Sequence, residues 1–251
     1  MRGTLFLIIP LLFISCNDDD KVVLQENILS DYIELNNSLE LANVIACAGG
    51  NAEGLFGENG TATSVFFYPV AGATDFKYFE TERVADSADF SKYLLKELTD
   101  TPVFNGYLRR FNNTAFDGER MGIVSYKTPG KLHICRPIRQ KTNVKPTEVN
   151  NQLVTVLENG VNPGFIWQDG EIDESAIYFQ VISDADGNLI SGTYTYDRNF
   201  TFYDLSNVVL NITDPQLTPV LKPESNYKFT MMGVSEDNWV NLLIEKNFTT
   251  D

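Results

Sequence analysis

The stretch that decides the fold reads Leu221-Lys222-Pro223-Glu224-Ser225-Asn226-Tyr227, with a leucine, a proline and a tyrosine at fixed intervals. Further along the chain, Phe229, Met231 and Val234 continue the apolar series in a nearly alternating pattern. A period of two places such side chains on one face of a β-strand. The pattern therefore predicts a strand over Tyr227–Val234 that enters a buried sheet, with the tyrosine at its start.

This stretch resembles the Leu-x-Pro-x-x-x-Tyr corner of fibronectin type III domains. In that corner the tyrosine folds back to hydrogen-bond the preceding loop, which the leucine and the proline brace from inside. The resemblance covers about residues 150–250, and Trp167 stands where such domains carry a core tryptophan on the second strand. It implies a β-sandwich in which the structural corner consists of Leu221, Pro223 and Tyr227.

The first half of the chain echoes the second. Short β-rich runs with turn signals every 8–12 residues begin near Leu39, as is typical of a sandwich. Phe66-Phe67-Tyr68 is followed by Tyr78-Phe79, eleven residues after Phe67, and Phe165-Ile166-Trp167 is followed by Tyr178-Phe179, eleven residues after Trp167. A repeated pair of strands favours tandem domains over one barrel. The first half has no tyrosine corner, so we expect it to be a looser relative.

We therefore predict an all-β chain of two tandem immunoglobulin/fibronectin type III-like β-sandwiches, after a lipoprotein signal peptide and a flexible tether. The predicted boundaries are a signal peptide at 1–15, a lipidated tether at 16–38, a first sandwich at 39–143 and a second at 147–251. Lys145-Pro146-Thr147 is predicted to be the linker. Two helices are expected, a marginal one docked on the first sandwich and a short one over Asp86–Leu98. The apolar residues of the marginal helix are Ile28, Leu29, Tyr32, Ile33 and Leu35.

The N-terminus predicts export and lipidation. A basic start at Arg2, an apolar run over Leu5–Ile14 and a small residue before the cut are typical of a signal peptide. The run is shorter than the roughly 20 residues of a transmembrane helix. Phe13-Ile14-Ser15-Cys16 resembles the bacterial lipobox, in which the cysteine is acylated and becomes the first residue. An ordinary signal peptide cleaved nearby is the alternative.

The residues after the cysteine add a second targeting feature. Asn17, Asp18, Asp19 and Asp20 resemble the acidic export signal of surface lipoproteins of Bacteroidetes; the alternative is a solvated charge run. The resemblance implies an outer-membrane lipoprotein, lipid-anchored and facing the cell surface. The anchor would consist of acyl chains, since two or more give durable membrane attachment.

Charge and composition exclude several classes of function. The 251 residues include 34 Asp and Glu against 19 Lys and Arg, for a net charge of −15. Nucleic-acid binding needs a basic surface, so we expect no nucleic-acid partner. A hydrophobic content of 43% argues against a disordered chain.

Cysteine usage fits an oxidising compartment. With Cys16 acylated, Cys47 and Cys135 remain as an even pair. They lie on the first and last predicted strands of the first sandwich, which are neighbouring edges. We predict a disulfide between them, and two buried free thiols are the alternative.

Motifs for catalysis and metal binding are weak. His133 is the only histidine, and its closeness to Cys135 on one strand favours packing over a nucleophile–base pair. The run Asp184–Asn188 clusters oxygen ligands, but its glycine is at position four where a calcium loop needs it at six. A hairpin turn explains the same residues. We expect no enzyme activity, no cofactor and no metal.

Aromatic residues supply the candidate ligand site. Tyr194, Tyr196 and Tyr203 lie around the turn at Asp197-Arg198-Asn199, and exposed aromatic faces stack on sugar rings. Alternation along the same segment also fits a sandwich core, with Tyr203 pointing outward. We expect a binding, adhesion or spacer module with a glycan or an envelope protein as partner. The alternative is a glycan-binding accessory lipoprotein of a polysaccharide uptake system.

Overall fold

The computed structural model describes residues 23–50, 63–114, 116–157, 160–213 and 219–251. Nearly all regular structure in these ranges is β-strand, as predicted. One helix, α1 (Leu29–Leu35), precedes the nine strands of the first half. These strands are β1 (Glu40–Gly50), β2 (Thr63–Tyr68), β3 (Thr74–Glu80), β4 (Leu94–Lys96), β5 (Asp100–Val103), β6 (Leu108–Asn113), β7 (Arg120–Thr128), β8 (Lys131–Cys135) and β9 (Ile138–Gln140).

The nine strands form a sandwich whose two sheets share β1. The first part of β1 pairs in parallel with β8, from Glu40 opposite Lys131 to Val44 opposite Cys135. Its second part pairs antiparallel with β2. Outer sheet 1 therefore runs β4-β3-β7-β8-β1, with β9 also on β7, and inner sheet 1 runs β1-β2-β6-β5. This order is that of an immunoglobulin-like sandwich.

Aromatic side chains fill the space between these two sheets, which we call the first core. Phe67 of β2 stacks on Phe111 of β6, with ring centroids 5.3 Å apart. The helix α1 covers one side, because its Leu29 and Tyr32 are buried in the same core. The helix therefore docks on the first sandwich as predicted, and the last part of the expected tether is packed structure.

The helix predicted over Asp86–Leu98 is wrong. Two single 3-10 turns occur there, Val84–Asp86 and Phe90–Lys92, and the chain then enters the edge strand β4. Pairing with β3 gives the backbone of β4 its hydrogen-bond partners. Leu94 stays 48% exposed, so the helical spacing of apolar residues marks no buried helix face.

The second half forms another sandwich. Its strands are β10 (Glu148–Val149), β11 (Val154–Leu157), β12 (Gly164–Trp167), β13 (Ile177–Asp184), β14 (Leu189–Thr195), β15 (Asn199–Thr201), β16 (Val208–Asn211), β17 (Asn226–Val234) and β18 (Val240–Thr249). Outer sheet 2 has the order β11-β12-β15, and inner sheet 2 has the order β10-β18-β17-β13-β14-β16. Three strands facing a four-stranded β14-β13-β17-β18 unit make a fibronectin type III-like sandwich, which β10 and β16 extend at its two edges.

The tyrosine corner has the geometry that its sequence predicts. The hydroxyl of Tyr227 accepts a hydrogen bond from the backbone N–H of Lys222 at 2.9 Å. Leu221 is buried between the sheets of the second sandwich, in what we call the second core. Pro223 is exposed, so the expectation that it braces the corner from inside is wrong and the leucine does so alone. Trp167 lies in the second core beside Phe229, with ring centroids 6.0 Å apart.

The two sandwiches pack face to face through a third apolar layer, which we call the joint core. Phe66 and Leu108 of inner sheet 1 meet Phe179, Met232 and other side chains of inner sheet 2. Consecutive residues point into different cores, since Phe67 enters the first core and Phe66 the joint core. The molecule is thus a four-layer stack of sheets with three apolar cores.

A tryptophan of the second half completes the core of the first. Trp239, in the turn between β17 and β18, is fully buried in the first core. Its backbone bridges Ala48 of β1, and its indole N–H donates to the carbonyl of Lys145 at 2.8 Å. Beside it, the Lys141 ammonium pairs with Asp237 at 2.6 Å. The turn therefore locks the two sandwiches together.

The segment predicted as a linker is held on both sides. Thr147 exchanges hydrogen bonds with Gly50, and its hydroxyl donates to the carbonyl of Val240 at 2.8 Å. These bonds tie the segment to β1 of the first sandwich and to β18 of the second. It connects the sandwiches in sequence without separating them in space.

Candidate functional site

A cavity of about 290 Å³ lies between the two sandwiches, beside the joint core. Apolar side chains from both inner sheets form most of its wall, among them Phe66, Phe179 and Met232. Tyr194 stacks on Phe179 in this wall, with ring centroids 4.5 Å apart. Ligand cavities in proteins have volumes from about 300 Å³ and are mostly apolar with a few polar groups. Its volume and its apolar wall make this cavity a candidate ligand site.

Exposed lining residues on β1 and β16 indicate where the cavity opens to solvent, which we call the entrance. Ile45 of β1 is 37% exposed and Leu210 of β16 is 39% exposed, and both line the cavity. Asn43 and Asn238 contribute amide groups, and the exposed Arg136 contributes a guanidinium. No Asp or Glu occurs among the described residues that line the cavity. Arg136 is therefore the one formally charged residue among the described residues of the lining.

Cys47 lines this cavity, and the disulfide predicted between it and Cys135 is wrong, because both are free thiols. In the parallel pairing it is Val44 that lies opposite Cys135. Cys47 is three residues further along β1, about 10 Å away at 3.3 Å per residue. Bridged cysteines need Cα atoms within about 7 Å.

The two thiols also occupy different cores. Cys135 belongs to the first core, where its sulfur accepts a hydrogen bond from the backbone N–H of Val124 at 3.1 Å. Cys47 packs against the joint core. Burial raises the pKa of each thiol to about 12, which keeps both protonated and slow to react at neutral pH.

The three candidate tyrosines do not form one surface. Tyr194 is a buried wall residue of the cavity, whereas Tyr196, which the same alternation would place in the core, is exposed because strand β14 ends at Thr195. Tyr196 is 66% exposed and Tyr203 is 46% exposed, and the two flank strand β15 and its preceding turn. Only these two can present an aromatic face to solvent.

A polar cluster underlies the turn between Tyr196 and Tyr203. The Tyr178 hydroxyl donates to Asp169 at 2.8 Å and accepts from the Arg198 guanidinium at 2.9 Å. Arg198 also pairs with Asp169 and with Asp173. Burial raises the pKa of Asp169, and the adjacent guanidinium opposes this rise. All four groups satisfy one another, and the cluster fixes the turn in place.

A second buried polar cluster surrounds Glu80 in the first sandwich. One carboxylate oxygen accepts hydrogen bonds from Tyr78 and Asn113, and from Gln140 at 3.0 Å. The other accepts from Arg120 at 3.2 Å. A carboxylate with this many donors is held in place and has no free lone pair aimed at a substrate.

The remaining candidate residues have structural roles. His133 is buried, stacks on Tyr126 and shares a 2.9 Å hydrogen bond with Thr128. Burial lowers the pKa of His133. Asp184 caps the β13–β14 turn by accepting backbone N–H bonds from Asp186 and Asn188, as a hairpin turn predicts.

The predicted signal and anchor residues, Cys16 and Asn17 to Asp20, lie outside the described residues. Within the described ranges, no helix has the length and hydropathy needed to cross a membrane. The same ranges contain no group of three or more His, Cys, Asp and Glu side chains arranged to hold a metal ion.

The cavity and its entrance were not predicted from the sequence. A signal for the surrounding interface was present, because Val65-Phe66-Phe67 is a continuous apolar run and Ile177–Ile182 is interrupted only by Gln180, so neither alternates strictly. Continuous runs are typical of strands that are buried on both faces. No sequence motif includes Arg136. It lines the cavity because it directly follows β8, at an end of the strand that lies beside the cavity.

No protein-family profile and no curated protein matches this chain. Solved structures that it resembles include the FN1–FN3 domains of chicken CNTN1, at 11% identity and a TM-score of 0.32, over 85% of this chain and 68% of that one. Another is the chicken interferon gamma receptor alpha chain, at 12% identity and a TM-score of 0.24, over 82% of this chain and 96% of that one. A laminaripentaose-producing β-1,3-glucanase from Paenibacillus barengoltzii follows at 12% identity and a TM-score of 0.26, over 77% and 50%. Similarity at these TM-scores does not indicate a function. The fold is defined by the order of the strands in the sheets.

Proposed function

We propose that this protein is a non-catalytic binding module that holds a small ligand in the cavity between its two sandwiches. The cavity carries this proposal, because it combines an apolar wall, a few polar groups and an entrance to solvent. The wall is built from two sandwiches that the joint core and Trp239 hold in one arrangement. Such a site is pre-organised, which lowers the cost of ordering on binding.

The place of action that we propose is the outer membrane, with the folded part at the cell surface. The support is the sequence alone: the signal peptide, the lipobox cysteine Cys16 and the acidic residues Asn17 to Asp20. Acyl chains on the cysteine would bind the membrane, and a glycan or an envelope protein would be the partner. Incorporation of a labelled fatty acid that is lost in Cys16→Ser tests the anchor, and protease accessibility on intact cells tests the exposed face.

Binding of naphthalene by the full chain carrying Cys16→Ser tests the cavity. Its ten carbons fit, because a 150 Å³ apolar cavity holds benzene and this one is about twice as large. We expect one saturable site, seen as a change in naphthalene fluorescence. Leu210→Trp should block the entrance and abolish binding, whereas Val144→Trp, at a position 59% exposed elsewhere, should not. No binding, or equal binding by Leu210→Trp, would refute the proposal.

Glycan binding is the second candidate, and the exposure of Tyr196 and Tyr203 favours it. Their rings are free to stack on sugars beside a turn that Arg198 and Asp169 hold in place. A glycan array with the full chain should then give signals that are lost when both tyrosines are changed to alanine. Tyr194→Ala does not test this candidate, because that ring is buried in the cavity wall.

A further inference from the structure

We infer that the ligand of the inter-sandwich cavity is a small amphiphile with an apolar body and a carboxylate head, which Arg136 recognises. This inference rests on the proposed binding function and names its ligand class. Three observations carry it: the chemistry of the wall, the apolar exposure at the entrance and the charge beside it.

The wall of the cavity suits an apolar body. Thirteen of the seventeen residues that line it are aliphatic or aromatic, the exceptions being Asn43, Cys47, Arg136 and Asn238. Cys47 stays protonated because burial raises its pKa, so it acts as a small apolar group. A sugar would leave most of its hydroxyls without partners against such a wall, which is costly. By comparison with benzene in a 150 Å³ cavity, the space accommodates about twelve carbon atoms.

The entrance leaves apolar side chains in water. Ile45 and Leu210 are more than one third exposed, although both border the apolar interior. Leu41, two residues before Asn43 on the same face of β1, is 54% exposed. An apolar chain that emerges through the entrance would cover these side chains, and removing apolar surface from water is favourable.

The charge at the entrance selects an anion. Arg136 makes no ion pair and no hydrogen bond through its guanidinium among the described residues, in a chain with fifteen more acidic than basic groups. The neighbouring Arg139, three residues on, is already engaged by Glu119 at 3.0 Å. A guanidinium matches the two oxygens of a carboxylate in a bidentate pair. The amides of Asn43 and Asn238 lie on the same cavity and can donate to the same head group.

Calorimetric titration of three ten-carbon probes tests this inference. The full chain carrying Cys16→Ser is titrated with decanoate, decanol and decylammonium, which differ only in the head. We expect decanoate to bind about tenfold or more tightly than decanol, since a hydrogen bond to a charged group contributes about 1.5 kcal/mol or more. Decylammonium should bind most weakly.

Variants at the entrance separate charge from shape. Arg136→Gln should weaken decanoate about tenfold and leave decanol unchanged. Arg136→Lys keeps the positive charge but loses the bidentate geometry of the guanidinium. Its affinity for decanoate should lie between that of the parent protein and that of Arg136→Gln. Lys131→Gln is the matched control. The Lys131 ammonium is paired with the Glu40 carboxylate at 3.4 Å, and neither residue lines the cavity. An equal loss of decanoate affinity in Arg136→Gln and Lys131→Gln would mean that only the overall charge of the protein matters. That result would overturn the inference.

Further outcomes distinguish the inference from the proposed function. If decanol binds as tightly as decanoate and Arg136→Gln changes neither, the carboxylate inference is wrong while the cavity function stands. If no ten-carbon probe binds but naphthalene does, the inference is wrong and the cavity function stands; if naphthalene also fails to bind and no probe protects Cys47 from alkylation in mild denaturant, both are wrong. Protection of Cys47 by decanoate, with Cys135 labelled only on full unfolding, would support both.

Discussion

Replacing Trp239 tests whether the two sandwiches fold as one unit. The side chain is carried by the second half but is completely buried in the first core. Trp239→Ala leaves a cavity there and removes the hydrogen bond to the carbonyl of Lys145. Core replacements of this kind cost about 3–5 kcal/mol. Since 1 kcal/mol shifts Tm by about 2–4 °C at this size, we expect Tm to fall by about 6–20 °C.

The two tryptophans provide separate reporters for the assay. Trp167 lies in the second core and Trp239 in the first. Trp167→Phe therefore leaves a fluorophore that reports on the first core, and Trp239→Phe leaves one that reports on the second. Urea unfolding of each variant is followed by fluorescence and by circular dichroism. In each variant both signals should change at one midpoint, because the joint core couples the sandwiches.

Three results would refute this reasoning. The first is a loss below about 1 kcal/mol in Trp239→Ala, which is typical of a surface position. The second is a solvent-exposed emission maximum from Trp239 in folded Trp167→Phe. The third is a pair of separate transitions in the parent protein. Val220→Ala is the control, since Val220 is 71% exposed and its truncation should change the free energy of unfolding by less than about 0.5 kcal/mol.

Further predictions concern the joint core, the thiols and one glycine. Met232→Asp buries an unpaired carboxylate in the joint core and should lower the free energy of unfolding by more than about 3 kcal/mol, measured in urea, whereas Val220→Asp should not. Because burial raises the thiol pKa from 9.0 to about 12, the folded state binds more protons than the unfolded state between pH 9 and 12. The free energy of unfolding should therefore fall as pH rises through this window, and the fall should be smaller in Cys47→Ala; an equal fall would contradict this. Gly122→Ala places a methyl group against the Tyr78 hydroxyl and should cost about 1–3 kcal/mol in the same urea assay, a cost that an unchanged midpoint would disprove.

The sequence predicted the strands well because their patterns are local. The Tyr227 hydroxyl bonds the backbone of Lys222, and Asp184 caps a turn by bonding Asp186, so both contacts join residues that lie close in sequence. The helix predicted over Asp86–Leu98 is wrong because its second half pairs with β3 as an edge strand, and this pairing overrides the helical spacing of apolar residues. Long-range pairing is not encoded in local periodicity.

The packing of the two halves was the larger omission. Nearly continuous apolar runs indicate that the strands of Phe66, Phe179 and Met232 are buried on both faces. They do not indicate which strands pack against each other, because that depends on the topology of the whole chain. The disulfide failed for the same reason. A disulfide between β1 and β8 needs the two cysteines opposite each other. Cys135 lies opposite Val44, and Cys47 lies three residues later, where β1 pairs with β2 of the other sheet.

The parallel pairing of β1 with β8 has a mechanical consequence. A force applied on the N-terminal side of Glu40 pulls on the start of β1, while β8 is held at its other end, beyond Cys135, by the rest of the chain. Because the two strands run in the same direction, this force slides one along the other and loads their hydrogen bonds together. An antiparallel partner would be unzipped one bond at a time. A molecule held by its N-terminus and pulled through its ligand would therefore resist load in shear, after α1 had detached.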